Sequence, residues 1–121
     1  MRSLHSASLD LIKGILVNIV ILITTKDVKE ARRIGQALVS AHLIACVNIM
    51  DGVQSLFWWQ GKVDSSREAL MIIKTKKSCF EKIVKTVKRL HSYQTPEIIA
   101  LPIVCGEQAY VKWLEASCSP R

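Results

Sequence analysis

The stretch "IACVNIMDGVQSLFWW", residues 44–59, decides the fold. Asp51-Gly52 in its middle is a dipeptide that ordinarily closes a tight hairpin. Yet the residues on both sides are strand-like, and a clearer turn follows at "QGKVDSS" (60–66). Gly52 therefore reads as a bulge within one long strand. At roughly 3.3 Å per residue such a strand over 44–60 spans about 55 Å. A chain of this length folds to a radius of gyration of only about 14 Å. The hairpin should overhang its own core, carrying Leu56, Phe57, Trp58 and Trp59 with it. A lone two-stranded ribbon is marginal in water, and a patch that apolar needs cover. A second copy of the chain is the simplest cover, so a homo-oligomer is expected.

Working outward, "EALMIIKT" (68–75) reads as the return strand. On the other side, residues 15–25 are continuous and β-branched, as in a strand buried on both faces. Asp27 can cap a helix, with Glu30 closing the capping box. Ala31, Ile34, Leu38 and Ala41 then mark one helical face, ending near His42. A second helix starts at Ser78, with Glu81 completing a Ser-x-x-Glu box. Its apolar stripe is Phe80, Ile83, Val84, Val87 and Leu90. "EIIALPIV" (97–104) reads as a strand near a sheet edge, because Pro102 cannot donate to a ladder. Tyr110, Trp113 and Leu114 suggest a short last helix beginning near Gly106, with Tyr110 and Trp113 read as core. The order β-α-β-β-α-β plus one helix predicts an α+β, ferredoxin-like plait: an antiparallel-mixed sheet with two helices on one face. Residues 15–118 form one domain, and residues 1–14 read as an N-terminal extension, an organelle leader being the alternative reading.

Composition bounds the function. The formal net charge is +7, compatible with an anionic partner. Seven of the basic residues fall between Lys74 and Arg89, against the single acid Glu81. That run reads first as the solvated face of a helix, with anion binding as the functional alternative. Cys46, Cys79, Cys105 and Cys118 match no zinc spacing and suggest a reducing, cytoplasmic setting. The longest apolar run, "ILVNIVILI" (15–23), has nine residues, and a membrane span needs about 20. No nucleophile motif, P-loop or dinucleotide fingerprint occurs. A non-enzymatic protein is therefore the leading expectation, with no catalytic residue assigned. An RNA-binding module is disfavoured because the aromatic-rich RNA-binding signature is missing.

"RLHSYQTPEII" (89–99) is the one stretch that gathers chemistry. His91 falls at a helix end, either as a cap or as a metal ligand. Glu97 reads either as a partner for Lys74 or as a cleft carboxylate. Trp58 and Trp59 alternate across a strand, so one can line a pocket while the other packs.

Taken together, "LITTKDVKEARRIGQALVSAHLIACVNIMDGVQSLFWWQGKV", "EALMIIKT", "LHSYQTPEIIALPI" and "YVKWL" resemble the CutA family of divalent-cation tolerance proteins. The resemblance runs from about Val17 to Leu114. It implies a tight trimer of ferredoxin-like subunits with crossing hairpins. It also implies an intersubunit cleft lined by Cys46, Trp59, Glu68, Lys74, His91, Tyr93 and Glu97. Family members are linked to copper and other divalent cations, and animal members to membrane-bound acetylcholinesterase. Some bacterial members hold copper through a cysteine late in the first strand and two adjacent histidines. Those positions are Ile23 and Leu90 here, which leaves His91 as the metal residue. Ser92 also stands where the family usually has proline. The alternative is a PII-like signalling trimer that binds a small ligand or nucleotide between subunits, or a protein-interaction role in anchoring acetylcholinesterase.

Overall fold

In the computed structural model, which describes residues 17–119, four strands and three helices alternate along the chain. They are β1 (Asn18–Thr25), α1 (Val28–Ser40), β2 (Cys46–Trp59), β3 (Lys62–Lys76), α2 (Phe80–Leu90), β4 (Ile98–Pro102) and α3 (Gln108–Ser117). The sheet order is β2-β3-β1-β4. Every pairing is antiparallel, which corrects the mixed sheet expected. The expected extension at residues 1–14, and residues 15–16 of the first strand, lie outside the described residues.

The long strand forms. β2 runs through Asp51-Gly52, and its register against β3 shifts between Met50 and Val53. Gly52 adopts a φ of 72°, the left-handed conformation that makes Asp-Gly suit a turn elsewhere. The Asp51 carboxylate accepts from the Gly52 N–H and lies 3.8 Å from Arg67 on the facing strand. The turn expected over 60–66 is shorter than that. Gln60 and Gly61 alone connect the strands, both at positive φ, and Trp59 pairs with Lys62. A two-residue loop with both central residues at positive φ matches the twist of the flanking strands, so β3 gains six residues before Glu68.

Period-two alternation sets the core. Ile19, Ile21 and Ile23 of β1 and Ala69, Met71 and Ile73 of β3 are buried on one sheet face. Ala31, Ile34 and Leu38 of α1 and Ile83 and Val87 of α2 join them in one cluster. α1 lies close on the sheet because Gly35 has no side chain: a Cβ there would sit 3.1 Å from Val47 Cγ1. The opposite sheet face is thinly covered. Met50 of β2 and Ile99 and Leu101 of β4 are half exposed there. β1 is thus fully buried on one face and half-buried on the other, not buried on both. β4 is a short edge strand closing at Pro102, as its missing N–H requires.

Two local expectations need correction. Ser78 does not cap α2; Lys77–Cys79 make a 3-10 turn, and the residue before Phe80 is Cys79, with no side-chain cap. The last helix begins at Gln108, near Gly106 as expected, and the Glu107 carboxylate accepts from the Ala109 and Tyr110 N–H groups. Those same bonds hold the Glu107 carboxyl below its ordinary range. Tyr110 and Trp113 are not core. They meet at 5.4 Å between ring centroids, tilted by 46°, and stay nearly half exposed, while α3 buries Leu114 and Cys118 is buried just past its end.

Candidate functional site

The chemistry of "RLHSYQTPEII" begins with a carboxylate from a different helix. Asp27 caps α1 through a bond from the Glu30 N–H. The Glu30 side chain does not turn back to Asp27 as the expected box requires. One oxygen accepts from the Lys26 N–H at 3.2 Å and the other from the Ser92 N–H at 2.8 Å. Glu30 thereby ties the first turn of α1 to the loop leaving α2. Burial pushes its carboxyl pKa up; the bonds from Ser92 and Lys26 outweigh that and hold it below its ordinary value.

His91 closes the same junction. The carbonyl of Thr24 only accepts, so Nε2 carries the proton and donates to it over 2.7 Å. The Tyr93 N–H only donates, so Nδ1 accepts it over 3.0 Å. These partners set the neutral tautomer and leave no ring lone pair free. The Glu30 carboxylate stands 4.0 Å from Nδ1. Beyond this pair, the Tyr93 hydroxyl donates to the Glu68 carboxylate at 2.7 Å. Burial and that carboxylate push the Tyr93 phenol well above its ordinary range. Replacing Tyr93 by Phe should cost about 1–2 kcal/mol, since buried Glu68 loses its one side-chain donor. Urea titration at fixed protein concentration measures this; an unchanged midpoint would show that water substitutes fully for the hydroxyl.

The remaining expected site residues do not join this cluster. Cys46 and Lys74 pair across β2 and β3, six positions along β3 from Glu68, or about 20 Å. Half-buried Cys46 places Sγ 3.8 Å from the Tyr110 hydroxyl, whose pKa is raised by that contact and by burial. Lys74 bonds Asn48 and not Glu97, which is exposed and forms no ion pair among the described residues. Trp59 lies at the ribbon tip beside the Gln60-Gly61 turn and is 59% exposed. The chain therefore carries two half-sites, one at the middle of β3 and one near its C-terminal end. Glu68, Tyr93, His91 and Glu30 make one; Cys46, Lys74, Asn48 and Tyr110 make the other.

Glu30 is the member that sequence reasoning missed. It was visible as the charged member of the row Glu30, Ile34, Leu38, whose spacing of four puts a carboxylate on a buried helical face.

The fit to a resident metal is poor within one chain. No three His, Cys, Asp or Glu side chains gather in ligand geometry among the described residues. Both nitrogens of His91 are engaged, and Ile23 and Leu90 offer no donor; Ile23 is fully buried in the core. Among the described residues no helix is long and apolar enough to cross a membrane.

Fold and site together define an α+β protein with a four-stranded antiparallel sheet, a protruding two-stranded ribbon, and half-sites that one chain leaves apart. Residues 19–117 match the model of the CutA1 divalent ion tolerance proteins, and the chain belongs to that family. The chloroplastic protein CutA 1 of Oryza sativa is 38% identical over 117 residues, 97% of this chain, which spans 66% of that protein's length. The divalent-cation tolerance protein CutA of Thermus thermophilus is 46% identical over 95 residues, 78% of this chain and 92% of the relative. The solved structure of a Thermus thermophilus divalent cation tolerance protein superposes with a TM-score of 0.83 at 43% identity, covering 84% of this chain and 99% of that one. An Archaeoglobus fulgidus structure, described as a periplasmic divalent cation tolerance protein, gives 0.82 at 38% identity, with 84% and 99% covered.

Proposed function

We propose that the chain works as a non-enzymatic homotrimer of ferredoxin-like plaits in divalent-cation tolerance, and that its ligand groove forms between protomers. One observation carries this reading. The two half-sites lie about 20 Å apart on β3, and the apolar ribbon that separates them from the tip is uncovered. A neighbouring protomer laid along that ribbon covers its apolar side chains and brings its own residues to each half-site. His91 then acts as a structural pin, and any bound cation draws its ligands from more than one protomer. Copper is the cation to test first. Four free cysteines support a reducing compartment such as the cytoplasm.

The test is calorimetric titration of chelator-stripped protein with copper(II). Saturable binding is expected of the assembled protein. It should disappear in Leu56→Asp/Trp58→Asp, which separates the protomers. One ion per chain held by that separated variant, and lost in His91→Ala, would instead make His91 a ligand within a single chain. No binding to the assembled protein would remove the cation contact from the proposal.

A further inference from the structure

The helical layer has a charge pattern that neither the core nor the half-sites use. On α2, buried Ile83 and Val87 point to the sheet, and Lys82, Lys85, Lys88 and Arg89 fall on the opposite arc, all exposed. On α1, Lys29 and Arg33 are exposed on the same outer layer, and exposed Arg32 borders the groove toward β2 that Asp51 also lines. The Arg33 guanidinium donates to the Leu90 carbonyl and so bridges the two helices. The acids here are few. Glu30 is buried, Asp27 is the α1 cap, and Glu81 is the one exposed acid of α2. Among the described residues Arg33 is the sole one of these cations with an ion pair, 3.7 Å from Glu30. The rest keep their charge uncompensated.

We infer that this two-helix face is a docking surface for anionic lipid headgroups. Charge complementarity selects an anionic partner. The layer's chemistry selects lipid over nucleic acid. Single strands bind basic grooves through stacked aromatic side chains. The exposed aromatics, Phe57, Trp58, Trp59, Tyr110 and Trp113, lie on the ribbon and α3, away from these helices. Duplex readers insert one projecting helix into a groove, whereas α1 and α2 lie side by side on the sheet. A broad basic face without aromatic platforms suits an anionic membrane surface, where each lysine or arginine near the plane adds attraction. The exposed apolar side chains lie mostly on the ribbon, the bare sheet face and α3, with Val39 the large one on these two helices, so a neighbouring copy placed on the ribbon and sheet leaves the helices outward.

The test is vesicle flotation of the full chain. Protein is mixed with phosphatidylcholine vesicles, with or without phosphatidylserine, at low salt and at about 0.5 M salt, where charge attraction is heavily screened. Binding is expected to the anionic vesicles at low salt, to fall at least ten-fold at high salt, and to be absent on phosphatidylcholine alone. The variant Lys82→Gln/Lys85→Gln/Arg89→Gln should lose at least ten-fold. Lys62→Gln/Arg67→Gln/Lys112→Gln, an equal charge loss elsewhere, should bind as the parent does. Circular dichroism and molar mass establish that both variants keep the parent's fold and assembly. Equal loss in both would reduce the effect to net charge and overturn the assignment. So would absence of binding to anionic vesicles, or retention by a duplex RNA in an assay where those vesicles fail.

Discussion

Replacing Glu30 by Ala is expected to lower the stability of the folded chain by about 3 kcal/mol, the largest effect of any single polar substitution outside the core. The side chain is 1% exposed and spans two elements at once. Its removal leaves the Lys26 and Ser92 N–H groups without their acceptor and withdraws the carboxylate that faces His91. The pH dependence separates this account from simple loss of packing. The folded carboxyl titrates below 4.5, so the unfolded chain takes up a proton first as pH falls. The stability that Glu30 contributes is complete above about pH 5.5 and drains away as pH drops through its folded value. Glu30→Gln keeps the shape without the charge. Its stability deficit against the parent should therefore be full at neutral pH and narrow in acid. Urea midpoints at several pH values and one protein concentration measure the gap. A deficit that stayed constant from about pH 7 to about pH 3 would show that the charge on Glu30 contributes nothing.

The ribbon carries the second large effect. Leu56 is 78% exposed and Trp58 76%, and alternation puts both on one face. Phe57 and Trp59, 38% and 59% exposed, make the other face apolar as well. Burying such side chains stabilises by roughly 1.5–3 kcal/mol each, so a neighbour laid along the ribbon gains several kcal/mol per contact. In Leu56→Asp/Trp58→Asp each contact must instead desolvate two carboxylates. Light scattering should then report the chain mass of 13.6 kDa, where the trimer proposed for the parent should give three times that value. A variant that kept the three-chain mass would show that the protomers meet elsewhere, and the proposed groove would have to move with them.

Much of this was legible in the residues alone. The bulge at Gly52 followed from strand-like runs on both sides of a dipeptide that usually ends them. The apolar rows of α1 and α2 followed from spacings of three and four, and Pro102 placed β4 at an edge. The errors share one cause. Ser78 with Glu81 is a good capping pair locally, yet the chain leaving β3 winds a 3-10 turn first and takes Ser78 out of the cap position. Tyr110 and Trp113 are apolar enough for a core, but α3 turns Leu114 inward and leaves both rings nearly half exposed. The pairing of Lys74 with Glu97 failed because β1 stands between β3 and β4, and Lys74 faces Val20 while Glu97 precedes the residue facing Ile23.

By itself the sequence determined the element order, the long ribbon and the buried helical and strand faces, because periodicity, turn chemistry and proline act within a few residues of where they are written. The tertiary structure alone decided which polar groups meet. Glu30 and Ser92 lie 62 positions apart, and His91 reaches the Thr24 carbonyl across 67. Those meetings depend on how helices seat on the sheet, a property of packing that local spacing does not encode. The same packing holds Cys46 and Lys74 about 20 Å from Glu68, leaving residues named for one cleft well apart along a single strand.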